Sequence, residues 1–481
     1  MPCPTLKPHQ IEAARFLRSG RIRLLADDMG LGKTAAVIEA SRRLGLRRVL
    51  ICCPKSARER VWLREWHRFH PDDPSPITEM ERLSDEIPDD GHVVCTFDFA
   101  RVRYADLFIQ GPWECLVVDE WHEIRGTDAA RTRAILHPTE GLVARSRRLW
   151  ALSGTPIARN LGELYPLLKI AGVYDGSLDS FVRHFCMTYC DQNRGVLKIT
   201  GARTDTLPEL HDMIDRSGIM LRRLKKEVLP EIPDLVWEHV QIRKGEVDLE
   251  ELFPPRIEWR ETTADIRRRI EEQREQAWGI LDPGVQRPRM TFSQSLETLA
   301  GLAQSVPELL KLVGMQKVAS VIQLIREELN ANLYPKVFII TRHTCVGEAI
   351  RYGLKDFGAL WLWGGSDARA RTKMIERFTG DPSCRVFIGQ VKACGPSVNL
   401  CAKGQCYEVG VVEQSPVPGE NNQAFTRPHR IGCTHEVRVR IFQLDDPIDR
   451  RWEELIMKKN IHIAKTMREG LFLSKEFDPI G

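Results

Sequence analysis

Short, largely apolar runs recur through the first third of the chain, and each ends at a glycine, a proline or polar residues. They occupy positions 22–25, 49–53, 93–97, 115–118 and 149–152. Runs of this length are typical of strands buried on both faces of a parallel sheet. Helix-like stretches alternate with them, such as the one that begins at Thr34. The pattern therefore predicts an α/β domain built on a parallel sheet.

The apolar runs stop at about residue 166 and return in the last third of the chain. Between about 166 and 315, long polar and amphipathic stretches predict helices. Strand-like runs reappear at 336–341 and 385–389, and they indicate a second α/β unit. The sequence thus predicts two parallel-sheet domains with a helical insertion between them.

The bulk composition is that of a soluble globular protein of more than one domain. The chain has 481 residues, of which 42% are hydrophobic and 28% charged, and its net charge is +4. No apolar run is long enough to cross a membrane and no secretory signal peptide is recognisable, so we expect an intracellular protein without a membrane partner. Thirteen cysteines without a C-x-x-C pair agree, because they suit reduced thiols.

The residues after the first apolar run have the chemistry of a phosphate-binding loop. Gly30 and Gly32 permit a backbone that aims amide groups at phosphate, and the helix that follows presents its positive dipole end. Lys33 can reach the β- and γ-phosphates, and the hydroxyl of Thr34 can bind Mg²⁺. We therefore expect a nucleoside triphosphate site here.

Two carboxylates follow the fourth apolar run. Asp119 and Glu120 come directly after a strand-like stretch, which would deliver both to the carboxyl edge of the sheet where ligands bind. Asp119 can hold Mg²⁺, and Glu120 can orient and deprotonate an attacking water. Acidic strand ends are common by themselves, but downstream of a phosphate loop they indicate triphosphate hydrolysis.

The string from Asp27 to Thr34 resembles the phosphate loop of the Swi/Snf-related ATPases, a branch of helicase superfamily two, with Asp27 in place of the usual first glycine. Later segments, 149–168 and 423–432, match further motifs of that family in the correct order. The resemblance implies that ATP and Mg²⁺ are the ligands and that Gln10 recognises the edge of the adenine base. It also implies that Thr34 and Asp119 bind the metal. The expected ATP-binding residues are Gln10, Asp28, Met29, Gly30, Leu31, Gly32, Lys33 and Thr34.

Two arginines in the last matched motif are the expected contribution of the second domain. Arg427 and Arg430 are three residues apart, so on a helix they would share one face and point across the interdomain cleft. The resemblance implies that Arg430 stabilises charge on the transferring phosphoryl group with Arg427 beside it. The expected catalytic residues are Lys33, Glu120, Arg427 and Arg430.

The resemblance also implies where the chain meets DNA. Lys55 and Ser56 follow the second apolar run, where relatives contact the nucleic-acid backbone, and an ammonium and a hydroxyl suit that task. Trp62 and Trp66 come next, and we expect them simply to pack in the core. Residues 181–229 resemble the annealing-helicase subgroup, which predicts a preference for branched DNA. The role of their basic cluster at 222–226 remains open: it would either contact DNA directly or brace the insertion against the first domain.

We expect RecA-like domains at 1–165 and 316–450, a helical insertion and linker at 166–315 and a C-terminal helical tail at 451–481. The expected function is an ATP-dependent DNA translocase, a DNA-dependent ATPase that acts as a monomer on duplex or branched DNA. A strand-separating DNA or RNA helicase of the same superfamily and an ATP-switched architectural DNA-binding protein are the alternatives. The size of the chain favours the cytoplasm of a bacterial or virus-infected cell.

Overall fold

The computed structural model describes residues 4–124, 129–191, 196–243, 306–394, 398–401, 405–430 and 433–467. Within these ranges the chain forms two parallel sheets and a separate antiparallel hairpin. The predicted fold class, two parallel-sheet α/β domains, is confirmed. None of the helices in the described ranges is long and apolar enough to span a membrane.

The first sheet carries the elements that the early apolar runs predict. Its strands are β1 Ile22–Leu25, β2 Val49–Cys53, β3 Ile77–Glu79, β4 His92–Thr96, β5 Cys115–Asp119, β6 Leu149–Leu152 and β9 Met220–Leu221. They lie in the order β3-β4-β2-β5-β6-β1-β9, and neighbouring strands are parallel. The carboxyl ends of β5, β6 and β1 therefore lie side by side, and the loops that follow them meet at one edge.

Helices cover both faces of this sheet. They are α1 Pro8–Arg18, α2 Lys33–Leu44, α3 Lys55–Ala57, α4 Leu63–Phe69, α5 Phe97–Val102, α6 Tyr104–Ile109, α7 Ala130–Leu136, α8 Tyr165–Ile170, α9 Leu178–Phe185 and α10 Leu207–Ser217. A π-helical turn at Arg58–Trp62 joins α3 to α4, and short 3-10 turns lie at Trp121–Ile124, Leu142–Arg145 and Leu161–Leu164. Leu17 and Trp66 pack on one face of the sheet, and Phe99 and Leu107 pack on the other.

The second sheet is also parallel throughout. Its strands are β10 Leu235–Ile242, β11 Lys336–Thr341, β12 Leu360–Leu362, β13 Val386–Gln390, β14 Cys406–Val411 and β15 Val437–Leu444, in the order β10-β15-β14-β11-β13-β12. The accompanying helices are α11 Lys225–Val228, α12 Val306–Asn330, α13 Thr344–Gly353, α14 Ala368–Gly380, α15 Pro418–Phe425 and α16 Pro447–Thr466, with a 3-10 turn at Lys355–Phe357. The buried pair Lys317 and Asp449, 2.8 Å apart, ties α12 to α16.

The segment predicted as a helical insertion, 166–315, contains strands as well as helices in its described part. An antiparallel hairpin is formed by β7 Cys186–Asp191 and β8 Val196–Ala202. Strand β9 adds an edge to the first sheet, and β10 adds an edge to the second. The pattern missed β9 because it has two residues, and it missed β10 because the exposed edge strand carries polar residues such as Glu238 and Gln241. Residues 244–305 lie outside the described ranges.

Candidate nucleotide site between the two domains

The phosphate loop lies between β1 and α2, as predicted. Gly30 and Gly32 have φ angles of 84° and 81°, which favour glycine over residues with a side chain. A Cβ atom on Gly32 would lie 2.2 Å from Nε2 of Gln10, so a larger residue there would displace the end of the Gln10 side chain. Helix α2 begins at Lys33. The first amide groups of this helix point toward the loop, where they suit an anion.

The ammonium group of Lys33 is held at the mouth of the loop. Its Nζ donates to the carbonyl oxygens of Asp27, at 2.8 Å, and Asp28, at 3.3 Å. Burial lowers the pKa of Lys33, and the charge of Glu120 opposes that shift. Both acceptors are uncharged, so the oxygens of a triphosphate would make stronger, charge-assisted bonds with the same ammonium.

The two predicted acids lie at the end of β5, beside this lysine. Asp119 accepts a hydrogen bond from the indole Nε1 of Trp62 at 2.9 Å and another from the backbone amide of Glu120 at 3.0 Å. Glu120 has a φ of 54°, a conformation that residues other than glycine adopt at a cost. Burial raises the pKa of both carboxyl groups, and Lys33 opposes the shift at each. A carboxylate of raised basicity suits proton abstraction from water.

His122, which follows the two acids, contacts residues of both domains. Nδ1 of His122 lies 3.2 Å from Oγ of Ser153 and 3.4 Å from Oε2 of Glu120. On its other side, Nε2 of His122 lies 3.2 Å from the amide nitrogen of Gln423, which belongs to α15 of the second domain. The same amide lies 3.4 Å from Oγ1 of Thr155. The two acids at the end of β5, the segment after β6 that contains Ser153 and Thr155, and the second domain thus share one buried network.

The predicted arginines both approach this cleft, but they do not lie on a helical face as we expected. Helix α15 ends at Phe425, and Arg427 and Arg430 follow it. Pro428 explains the difference, because it disfavours a helical conformation in the residue before it and lacks the amide hydrogen. Cγ of Arg430 lies 3.8 Å from the position that a Cβ atom on Gly30 would take. A second-domain arginine therefore lies over the phosphate loop of the first domain.

Both guanidinium groups stay cationic at neutral pH despite their surroundings. Burial, together with the neighbouring charge of Arg430, lowers the pKa of Arg427 to about 9. Burial lowers the pKa of Arg430 to about 10, and the charge of Glu120 opposes that shift. A buried cation, Arg427, and a half-buried one, Arg430, face a carboxylate and form a site that favours an anion between them.

The basic segment before β10 is a part of the site that the sequence did not reveal. Arg222 donates to the carbonyl of Gly154 at 3.1 Å, and Arg223 donates to the carboxylate of Asp27 at 3.1 Å. The Nζ of buried Lys225 donates to the carbonyl of His429 at 2.8 Å. These side chains brace the phosphate loop and join it to the second domain, and direct DNA contact by the cluster at 222–226 stays a prediction.

Lys225 also contacts the first domain. Its backbone amide lies 3.3 Å from Oδ2 of Asp28. Lys226, the next residue, is exposed. Nothing in the sequence distinguishes these two lysines, so the buried one could not have been identified from the pattern. A cavity of about 230 Å³ reaches the loop beside this contact and is lined by residues of both domains, including Asp28, Met29, Lys225 and Thr426.

Gln10 lies against the phosphate loop. Its Oε1 accepts from the backbone amide of Lys7 at 2.9 Å, and its Nε2 donates to the carbonyl of Leu31 at 3.3 Å. The neighbouring ring of His9 contacts the same carbonyl at 3.0 Å. In this conformation Gln10 supports the loop, and its role in adenine recognition stays a prediction.

The predicted DNA-contacting residues are at the same edge of the first sheet. Lys55 is exposed and begins α3, directly after β2 and Pro54. Ser56 follows in the same short helix. Contact with DNA by these two residues stays a prediction.

Comparison with known proteins identifies the family. Residues 9–250 match the model of the SNF2-related domain, and the chain belongs to this family. The predicted resemblance to the Swi/Snf-related ATPases is therefore confirmed.

Several relatives and solved structures match most of the chain. The SWI/SNF-related matrix-associated actin-dependent regulator of chromatin subfamily A-like protein 1 homolog of Caenorhabditis elegans is 26% identical over 90% of this chain and 58% of its own length. The DNA annealing helicase and endonuclease ZRANB3 of Mus musculus is 24% identical over 92% of this chain and 39% of its own. The chain thus spans little more than half of the first relative and less of the second. The Sulfolobus solfataricus SWI2/SNF2 ATPase core in complex with dsDNA is 22% identical with a TM-score of 0.42, over 96% of this chain and 94% of that one.

Proposed function

We propose that this protein is a DNA-dependent ATPase that moves along DNA. The observation that carries the proposal is the position of Arg430 over the phosphate loop, close to the Cβ position of Gly30. The site for hydrolysis draws on both domains, so it is complete only when they approach each other. Hydrolysis and product release would then open and close the cleft, and a chain whose domains both grip a nucleic-acid backbone would move along it.

The residues of the first domain fit ATP with Mg²⁺. Oxygen ligands are the ones that Mg²⁺ prefers, and Asp119 and Thr34 would supply a carboxylate and a hydroxyl. Apart from Nδ1 of His122 at 3.4 Å, the buried Oε2 of Glu120 has no partner among the described residues, which leaves it able to accept a hydrogen bond from a water. When bound, Mg²⁺ would neutralise charge on the β- and γ-phosphates.

Each catalytic side chain then has a distinct task. Lys33 would exchange its two carbonyl partners for phosphate oxygens, and Glu120 would orient and deprotonate the attacking water. Arg430 would stabilise the charge that develops on the transferring phosphoryl group, with Arg427 beside it. The two arginines argue for a motor over an ATP-controlled switch, because a protein that only binds ATP does not need them.

DNA is the proposed partner, and one chain is the proposed working unit. The relatives named above include a DNA annealing helicase, and Lys55 presents a cation at the carboxyl edge of the first sheet. Both halves of the ATP site come from the same chain, so a monomer contains a complete site. An intracellular location is part of this proposal, whereas a bacterial or viral host cell stays a prediction.

Branched DNA is the finer form of the proposal. Its support is the likeness to relatives such as the annealing helicase, together with the hairpin β7–β8, on which Met187 and Tyr189 are exposed. Exposed aromatic side chains can stack on unpaired bases. Arg222, Arg223 and Lys225 of the basic cluster at 222–226 are engaged within the protein and Lys226 is exposed, so we favour the hairpin for reading a junction.

The decisive experiment is ATP hydrolysis measured without DNA, with linear duplex and with a fork of matched length and salt. We expect slow turnover alone and much faster turnover with DNA. Lys33→Ala should abolish hydrolysis, and Glu120→Gln should abolish it while leaving ATP binding largely intact. A rate that DNA does not change, with Lys33→Ala as active as the parent, would rule out the motor. Strand displacement assays would separate a translocase from a strand-separating helicase.

A further inference from the structure

Trp62 makes a contact that core packing does not require. Its side chain is fully buried, and its Nε1 donates to Oδ2 of Asp119 at 2.9 Å. A buried indole nitrogen usually finds an acceptor, and a backbone carbonyl would serve, as one does for Trp113 at 2.9 Å. Trp62 instead uses the carboxylate that we assign to the metal.

This contact fixes how the carboxylate is presented. The backbone amide of Glu120 donates to Oδ1 of Asp119, and Trp62 donates to Oδ2, so each oxygen has one donor. A carboxylate oxygen can accept two bonds, and each oxygen of Asp119 therefore keeps capacity for a cation or its water. Partners of this kind orient a ligand and tune its affinity for the metal.

Trp62 belongs to the same helical stretch as the predicted DNA contact. Helix α3 begins at exposed Lys55, the π-helical turn ends at Trp62, and α4 continues from Leu63. Lys55 and Trp62 are seven positions apart, a separation of about 10 Å along a helix. A π-helical turn is a rare conformation that occurs often at functional sites. A shift at the exposed end of this stretch would move the indole.

The middle of the stretch is anchored to the sheet. Arg58 is buried, and its Nη1 donates to the carbonyl of Met80 at 2.6 Å. Its Nε lies 2.8 Å from the carboxylate of Glu79, the last residue of β3. Arg58 therefore attaches the stretch to β3 at a position between Lys55 and Trp62. Tilting of the stretch about Arg58 would change the contact at Asp119.

We propose that Trp62 is a positioning residue that couples a nucleic-acid backbone bound at the start of this stretch to the metal-binding carboxylate Asp119. The inference rests on the proposed function and adds a route for DNA stimulation of the ATPase. Through Trp62, contact at Lys55 sets the orientation of Asp119. Loss of the indole donor then weakens metal binding in the nucleotide complex and reduces the gain in rate that DNA produces.

Trp66 provides a matched control in the same stretch. It is equally buried, and its Nε1 donates to a carboxylate, that of Asp73, at 2.8 Å. Asp73 also accepts from the amide of Ser75 at 2.9 Å, and it has no role in the proposed nucleotide site. Trp62→Phe and Trp66→Phe thus remove the same chemical group from the same helical stretch, but only the first removes it from Asp119.

The test measures metal binding directly as well as turnover. Mn²⁺ binding would be followed by electron paramagnetic resonance in the presence of a non-hydrolysable ATP analogue, and the ratio of DNA-stimulated to basal hydrolysis would be measured separately. For Trp62→Phe we expect Mn²⁺ affinity to fall about 10-fold, as for other partners of metal ligands, and the stimulation ratio to fall. For Trp66→Phe we expect parental values of both.

A second variant guards against misfolding. Replacement of Trp62 by benzothienylalanine keeps the ring shape but substitutes sulfur for the indole N–H, and it should reproduce both losses. Parental Mn²⁺ affinity and stimulation ratio in this variant would overturn the inference. If DNA did not stimulate the parent, the proposed function itself would fail, and the Mn²⁺ measurement would still report separately on the contact between Trp62 and Asp119.

Discussion

The side-chain amide of Gln423 lies 3.2 Å from Nε2 of His122, and this contact joins the second domain to the acidic motif of the first. An amide nitrogen only donates, so Nε2 of the histidine accepts, and the neutral ring carries its proton on Nδ1. That proton faces Oγ of Ser153 and Oε2 of Glu120. Whether the interdomain cleft is open or closed is therefore linked to the hydrogen-bonding environment of Glu120, the proposed catalytic base.

Gln423→Ala should weaken the link between closure of the interdomain cleft and Glu120, the proposed catalytic base. The variant loses a buried hydrogen bond between the domains, which is worth about 1 kcal/mol, so we expect DNA-stimulated turnover to fall about 5- to 10-fold. ATP affinity should change little, because the side-chain amide of Gln423 contacts His122 and Thr155, which are not part of the phosphate loop. Steady-state kinetics with and without DNA would measure this. Gln241→Ala, in the exposed edge strand β10, is the control and should behave as the parent.

Arg430→Lys should slow hydrolysis while ATP still binds. Lysine keeps the charge but loses the planar fork that can contact two phosphoryl oxygens. Because fingers of this kind contribute on the order of 10³ in rate, we expect a loss of at least about 100-fold in turnover. The control is Arg438→Lys, which makes the same replacement at an arginine of β15 whose side chain is 54% exposed. This variant should leave turnover unchanged. Near-parental turnover of Arg430→Ala would remove Arg430 from the site.

The sequence predicted the parts of the site that depend on local chain geometry. A strand followed by glycines and a helix specifies the phosphate loop, and the apolar run before Asp119 specifies its place at the sheet edge. It could not predict contacts that depend on how distant segments pack. Trp62 was expected only to pack, because no local pattern shows that its indole faces Asp119. Lys225 lies in a basic cluster whose periodicity does not show which lysine is buried.

Gly32→Ala should disrupt the phosphate loop. The φ of 81° disfavours alanine by about 1 kcal/mol, and the new Cβ would also lie 2.2 Å from Nε2 of Gln10. We therefore expect nucleotide binding, followed with a fluorescent ATP analogue, to weaken by at least about 5-fold, the equivalent of about 1 kcal/mol. Gly45→Ala separates the two causes, because its φ is 61° but its Cβ would meet no atom of the described residues within 4 Å. That variant should lose about 1 kcal/mol of stability and bind nucleotide as the parent does.

Lys225 should make the stability of the protein depend on pH. Burial lowers its pKa from 10.5 to about 8, although Asp28 opposes the shift. Between these two values the unfolded chain binds the proton and the folded chain does not, so the contribution of this group to the free energy of unfolding rises with pH. The full change would be on the order of 3 kcal/mol, since each pKa unit corresponds to about 1.4 kcal/mol.

The measurement compares the parent with Lys225→Met in chemical unfolding at about pH 7.5 and about pH 9.5. We expect the free energy of unfolding of the parent to rise relative to the variant between the two values. Other groups near this lysine also titrate, because burial lowers the pKa of Arg430 to about 10 and the pKa of His429. The difference between parent and variant cancels most of their effect, and Lys226→Met controls for the loss of an exposed charge. If Lys225→Met and Lys226→Met gave the same pH dependence, the amine of Lys225 would not be buried in the folded protein.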